Sequence, residues 1–320
     1  MIGVTGATGF VGRALCAHLA AQGMTVRRLL RQRGNTTLPD DRMVGEIGPD
    51  TVWSDALQGL DCVVHCAAHV HRMQAGVEGN TPADYRRVNT EGTRRLAEAA
   101  AIAGVRRFIF ISSIKVLGEA TSPGVPFRHD SRPDPIDPYG QSKWEAEQAL
   151  WSISEQSGLQ VAVIRPPLVY GPGVGANFLR LMRWIESGMP LPLASVSNLR
   201  SLVSVDNLVD LVAVCLTHPD AAGETFLASD GHDLSTPDLV AALGHAMGVH
   251  PRLWPAPVGL MRLAGRLTGR AGTVERLVQS LQVDIGHTCQ HLGWTPPVSV
   301  EEGLARTVAG KRGVLGKSEP

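Results

Sequence analysis

Three glycines at three-residue spacing, Gly6, Gly9 and Gly12, follow the short apolar run Met1 to Val4. An apolar-periodic stretch with Ala14, Leu15 and Leu19 comes directly after them. A strand that turns through such a loop into a helix is the opening unit of a parallel α/β sheet and leaves little room for another fold. Glycine lets the loop backbone approach an anion without a Cβ clash, and the helix N-terminus offers unpaired N–H groups to it. Gly6, Thr8, Gly9, Phe10, Val11 and Gly12 are therefore the candidate cradle for a dinucleotide pyrophosphate. Gly3 is an oddity, a glycine in a very short first strand where an apolar residue is usual. It is expected to weaken that edge of the site.

The next segments repeat the alternation. Met24 to Leu30 reads as a second strand, whose end in such folds carries an acid for the ribose 2′-hydroxyl of NAD about 20 residues past the loop. Here the residues are Leu29, Leu30, Arg31, Gln32 and Arg33. Two guanidinium groups and no acid favour a 2′-phosphate, hence NADP(H) over NAD(H), with solvated surface arginines as the rival reading. Val44 to Ile47 reads as a third strand end, where Glu46, beside Ile47, can accept from an adenine amino group. Asp61 to Cys66 is a fourth strand, and the small Ala67 and Ala68 after it would let the dinucleotide pass close. Val88 to Thr93 opens a helix running to about Ala103, and Arg107 to Ser112 is a fifth strand. Strands and helices alternating at this length specify a parallel, doubly wound sheet.

Composition narrows the function classes. The 320 residues are 43% hydrophobic and 19% charged with zero formal net charge, the profile of a soluble globular enzyme rather than a nucleic-acid binder. No apolar run reaches the roughly 18 residues of a membrane span, so no membrane insertion is expected. The first residues run straight into a strand without a signal peptide, and five cysteines lack framework spacing. Reduced thiols and a cytoplasmic setting are the expectation. The groups His65, Cys66, His69, His71 and His287, Cys289, His291 lack paired zinc-ligand spacings, so no metal site is expected.

The chemistry rests on Ser112-Ser113 and Tyr139-Gly140-Gln141-Ser142-Lys143. Asp137-Pro138 marks a helix start, which puts Tyr139 and Lys143 at i and i+4 on one face. A phenol with an ordinary pKa near 10 is a poor base at neutral pH. A neighbouring ammonium and a positive nicotinamide ring would lower that value and make Tyr139 usable as acid or base. Ser113, at the preceding strand end, could donate a hydrogen bond to the same substrate oxygen.

Thr5-Gly6-x-x-Gly9-x-x-Gly12, His65-x-Ala67-Ala68, Asn89, Ser113, Tyr139-x-x-x-Lys143 and Arg165 to Pro172 together resemble the extended short-chain dehydrogenase/reductases of the NAD-dependent epimerase/dehydratase family. The resemblance covers nearly the whole chain. It implies a Rossmann domain over 1–170 plus about 201–230, interleaved with a smaller nucleotide-sugar lobe over 171–200 and 231–309, and a mobile tail at 310–320. It implies Tyr139 as catalytic acid/base, Lys143 on the nicotinamide ribose and Ser113 polarising the substrate. Asn89 and Pro166 join the cofactor contacts. Asn177 opens an amphipathic helix resembling the segment that meets the nucleotide, and Arg200 heads a stretch resembling the one that pairs with the diphosphate, with structural salt-bridging as its rival. Arg276 is a second phosphate candidate. A homodimer is expected from the resemblance alone.

Pro257 to Gly269, with Leu260, Leu263 and Leu267 among Arg262, Arg266 and Arg270, could be a basic interfacial helix; a helix packed on the small lobe is the preferred reading. Val300 to Val308 reads as the last helix. Ile114-Lys115 stands where a dehydratase of the family would carry an acidic pair. Cofactor choice and overall pattern resemble bacterial reductases of a UDP-4-keto-6-deoxy-N-acetylhexosamine, used for surface polysaccharide (O-antigen) precursors. A UDP-hexose 4-epimerase is the alternative, and a non-catalytic NADP(H)-binding sensor the alternative of another class.

Overall fold

The computed structural model describes residues 1–32, 38–70, 81–122 and 124–315, without the side chains at 176, 177 and 312–315. Its strands are β1 (Ile2–Thr5), β2 (Val26–Leu30), β3 (Arg42–Met43), β4 (Cys62–His65), β5 (Arg107–Ile111), β6 (Gln160–Arg165), β7 (Leu168–Tyr170), β8 (Leu202–Ser204) and β9 (Glu224–Leu227). Its helices are α1 (Phe10–Ala21), α2 (Ser54–Leu57), α3 (Pro82–Tyr85), α4 (Gly92–Ile102), α5 (Pro138–Ser157), α6 (Ala176–Glu186), α7 (Val205–Thr217), α8 (Thr236–Met247), α9 (Val258–Leu267), α10 (Ala271–Val278), α11 (Gly286–Leu292) and α12 (Val300–Leu315).

Seven strands form one parallel sheet in the order β3-β2-β1-β4-β5-β6-β9, and β7 pairs with β8 apart from it. The strand order reverses between β1 and β4. Beyond the carboxyl ends of those two strands lies the crevice where open α/β sheets bind ligands. Central strands are apolar throughout because both faces are covered. Successive side chains alternate between two cores. Val64, Ile109, Ala162 and Ile164 join Leu15 and Leu19 of α1 and Leu208, Leu211 and Val212 of α7. Val63, Phe108, Phe110, Val161 and Val163 meet Leu96 and Ala100 of α4 and Ala146 and Leu150 of α5. Each fully buried side chain of this size contributes about 1.5–3 kcal/mol. A third core gathers Tyr170, Phe178 and Met182 with Val240 and Leu243 of α8 and Leu304 of α12.

Several expected boundaries shift. Gly3 sits at the sheet centre, where a Cβ would meet Leu60 Cδ1 at 2.4 Å. The glycine makes room for a leucine instead of weakening an edge. The third strand stops at Met43, and Val44 to Ile47 leave it through Gly45 at φ +71°. The helix expected from Val88 is preceded by α3 and a π-helical turn, Arg86–Glu91, that runs straight into α4. The final helix continues past Val308 to Leu315, so 310–315 of the expected tail is helical, and residues 316–320 lie outside the described residues.

Candidate active site

Backbone geometry explains the glycine loop. Gly6 has φ +64°, and a Cβ there would stand 2.7 Å from the Ala67 nitrogen across the β1–β4 crevice. Its carbonyl accepts from Gly9 N at 2.8 Å, and a Cβ on Gly12 would lie 2.1 Å from that same oxygen. The helix therefore starts as close to the strand end as backbone permits. α1 begins after Gly9 with no side-chain cap and no acid in its first turn, which leaves N–H groups to face an anion. These features fit the pyrophosphate of a dinucleotide.

A cleft of about 590 Å³ opens from this loop. Its lining includes Gly6, Thr8, Gly9, Arg31, Glu46, Ile47, Ala67 and Ala68, so eight of the residues expected to hold the cofactor converge. Phe10 and Val11 are half-buried and pack against the cores at the start of α1 rather than lining the cleft. Arg33 lies outside the described residues.

A buried polar chain stiffens the cleft from behind. Thr5 Oγ1 pairs with His65 Nδ1 at 2.6 Å, His65 Nε2 with Thr93 Oγ1 at 3.0 Å, and Thr93 Oγ1 donates to the Asn89 carbonyl at 2.6 Å. Burial pulls the His65 pKa down to about 3, so the imidazole stays neutral. Asn89 Nδ2 donates to the His69 carbonyl and to Ser142 Oγ, both at 3.0 Å, while Oδ1 accepts from His69 N at 2.7 Å. Asn89 thus ties the loop after β4 to α5.

Ser113, Tyr139 and Lys143 come together at the ends of β5 and α5. Asp137 caps α5 by accepting from Gly140 N at 2.6 Å, with Pro138 in the first turn. Tyr139 is half-buried, its ring edge-on to Tyr85 at 6.2 Å, and Tyr85 meets the cleft-lining His69 at 5.0 Å. Desolvation and then Asp137 push the phenol pKa up, while a hydrogen bond with Ser113 works the other way. This corrects the expected direction, since Lys143 is occupied elsewhere. Its Nζ donates to the Ile111 carbonyl at 2.8 Å and sits 4.4 Å from the Phe110 ring centroid. Burial pulls its pKa down to about 8. Pro166 lies alongside, its carbonyl accepting from Ile114 N at 2.9 Å.

Two polar groups around this constellation were not anticipated. Glu147, fully buried, accepts from Arg165 Nε at 3.0 Å, from Arg165 Nη2 at 2.5 Å and from the Ser112 hydroxyl. The signal was present: Tyr139, Lys143 and Glu147 recur at i, i+4 and i+8, so an acid falls on the inward face of α5 and needs a partner. Lys115 forms the second group, bridging Glu119 at 2.7 Å and Asp137.

On the far side, Arg200 and Arg276 are brought together. Arg200 Nη1 donates to the carbonyls of Arg276 at 3.0 Å and Gln279 at 3.1 Å, and burial and then the Arg276 charge lower its pKa. Asn177 falls in α6, but its side chain lies outside the described atoms. His287 and His291 stack at 5.0 Å instead of converging on a point, and His71 lies outside the described residues.

Residues 2–228 match the model of the "NAD dependent epimerase/dehydratase family". A Vibrio cholerae protein named UDP-glucose 4-epimerase is 45% identical over 95% of this chain and 93% of its own length. An Escherichia coli N-acetyl-α-D-glucosaminyl-diphospho-ditrans,octacis-undecaprenol 4-epimerase is 27% identical over 95% of this chain and 92% of its own. Among solved structures, MoeE5 in complex with UDP-glucuronic acid and NAD has a TM-score of 0.77 at 26% identity, covering 98% of this chain and 99% of that one.

Proposed function

Because the chain belongs to the NAD-dependent epimerase/dehydratase family, we propose that this NAD(P)-dependent enzyme reduces a UDP-linked 4-keto-6-deoxy-N-acetylhexosamine at C-4, toward a surface-polysaccharide precursor. The observation that carries this reading is the basic end of β2. Leu29 and Leu30 are followed by Arg31, which lines the cleft where an NAD site would place an acid. A guanidinium there suits the 2′-phosphate of NADPH, the form a reductase must exchange at every turnover. The bound nicotinamide supplies the hydride for C-4.

The protein's own groups do the rest. Tyr139, held neutral by burial and Asp137, is a proton donor for the developing alkoxide, and Ser113 supplies a second hydrogen bond to that oxygen. Lys143 holds the nicotinamide ribose, and Arg200 with Arg276 takes the diphosphate, where two adjacent guanidiniums favour a doubly charged anion. The third core, built from segments after Tyr170, forms the sugar-nucleotide side.

The relative named UDP-glucose 4-epimerase favours a second reading, a UDP-hexose 4-epimerase that keeps NAD bound through oxidation and re-reduction. Titrating purified protein with NADPH and NADH separates the two. Empty protein preferring NADPH at least tenfold, a gap of about 1.4 kcal/mol, with the gap closed by Arg31→Ala, supports the reductase. Protein purified with tightly held NAD and indifferent to NADPH overturns it in favour of the epimerase.

A further inference from the structure

Helix α9 carries two apolar stripes, and the fold uses only one. Val258, Met261 and Gly265, at i, i+3 and i+7, face inward: Val258 and Met261 are part-buried against the third core. Gly265 is the helix's buried residue, so close to α10 that a Cβ would stand 2.7 Å from Val274 Cγ2. Leu260, Leu263 and Leu267 repeat the same spacing on the opposite side and are 62%, 52% and 79% exposed. This corrects the expectation of a helix simply packed on the small lobe. An ordinary surface helix keeps charged or polar residues on its outer face.

Charge indicates what covers that stripe. Residues 250–279 hold five arginines, Arg252, Arg262, Arg266, Arg270 and Arg276, and one acid, Glu275, in a chain of zero formal net charge. Glu275 is already paired with Arg262 at 3.1 Å. Arg266 and Arg270 are exposed and flank the leucines in sequence. Trp254, in the segment leading into α9, is 48% exposed, and an indole suits the boundary between water and hydrocarbon. Leucines projecting outward, arginines beside them and a nearby tryptophan are the ingredients of a helix that lies in the surface of an anionic bilayer. No described helix is long and apolar enough to cross a membrane.

We propose that α9 is a peripheral docking element that seats the enzyme on an anionic lipid surface, with Leu260, Leu263 and Leu267 entering the headgroup boundary and Arg266 and Arg270 on the lipid phosphates. The assignment does not depend on which sugar is reduced or epimerised. The full chain is tested by co-flotation with vesicles of equimolar phosphatidylcholine and phosphatidylglycerol, and with phosphatidylcholine alone. Binding is expected to the anionic vesicles, to weaken at least tenfold without phosphatidylglycerol or in high salt, and to weaken at least tenfold in Leu260→Ser/Leu263→Ser/Leu267→Ser. Arg266→Gln/Arg270→Gln is expected to reduce binding to anionic vesicles only. Circular dichroism and dinucleotide titration of each variant should match the parent, which separates lost docking from lost folding. Absence of binding to the anionic vesicles, or binding that survives the leucine variant, overturns the proposal. So does light scattering that shows a dimer lost with those leucines, which would assign the stripe to a second copy of this chain.

Discussion

Arginine is used in opposite ways at the two ends of this molecule. Beside α5, Arg165 is 4% exposed and makes two nitrogen contacts with Glu147, which also takes the Ser112 hydroxyl. On the α9–α10 hairpin, arginines stand in water beside exposed leucines, and α10 buries no residue at all. A buried ion pair is tolerated only where pairing is complete, and its rigid fork fixes whatever it joins. Here it joins the ends of β5 and β6 to α5, the three elements around Tyr139. The hairpin joins nothing of that kind, so its surface is free for recognition. Precision is built from paired, dry groups, and adaptability from unpaired, wet ones.

The sharpest test of the precise end is Tyr139→Phe, which removes one hydroxyl. Turnover should fall by about 10²–10⁴ with dinucleotide affinity unchanged, measured by steady-state rates and fluorescence titration. Retained turnover would break the assignment. Next comes Glu147→Ala, which leaves Arg165 buried and unpaired and should cost about 3–5 kcal/mol in urea denaturation. The matched Arg266→Gln should stay within about 0.5 kcal/mol. Equal costs would erase the contrast drawn above.

A pH series probes the same end. The folded-state pKa of Lys143 is pulled to about 8 from 10.5 by burial. Between those values the unfolded chain holds the extra proton, so stability rises with pH across that window. Below about pH 8 both states are protonated and the burial cost stands in full. The rise is of order 3 kcal/mol and should vanish in Lys143→Met, as read from denaturation midpoints. The smallest effect belongs to the open end. Gly272→Ala meets nothing within 4 Å and should stabilise by up to about 1 kcal/mol. Gly12→Ala, 2.1 Å from a carbonyl, should instead disable the dinucleotide loop.

Much of the precise end was legible in the sequence, because its signals are local. Gly6, Gly9 and Gly12 answer to backbone contacts within the loop and the facing strand end, and Tyr139 and Lys143 lie one helical turn apart. Their environment was less legible. Whether Lys143 lowers the Tyr139 pKa depends on where its ammonium is held, and the Ile111 carbonyl that holds it is 32 residues away. The Glu147–Arg165 pair spans 18 residues and two elements, so each charge alone reads as solvated. For α9 the periodicity revealed apolar residues on two sides without indicating which side meets α10. That choice is tertiary.

The π-helical turn at Arg86–Glu91 has a consequence for how this chain tolerates change in length. A wider turn accommodates one residue more than an α-helix would. Deleting a single residue there would let the helix rewind to regular pitch and rotate everything downstream by about 100°. Thr93 would swing away from His65 and the apolar face of α4 would leave the sheet. The segment behaves as a gearing tooth: substitutions at its exposed positions are absorbed, whereas a lost residue disengages the helix from both the cleft and the core.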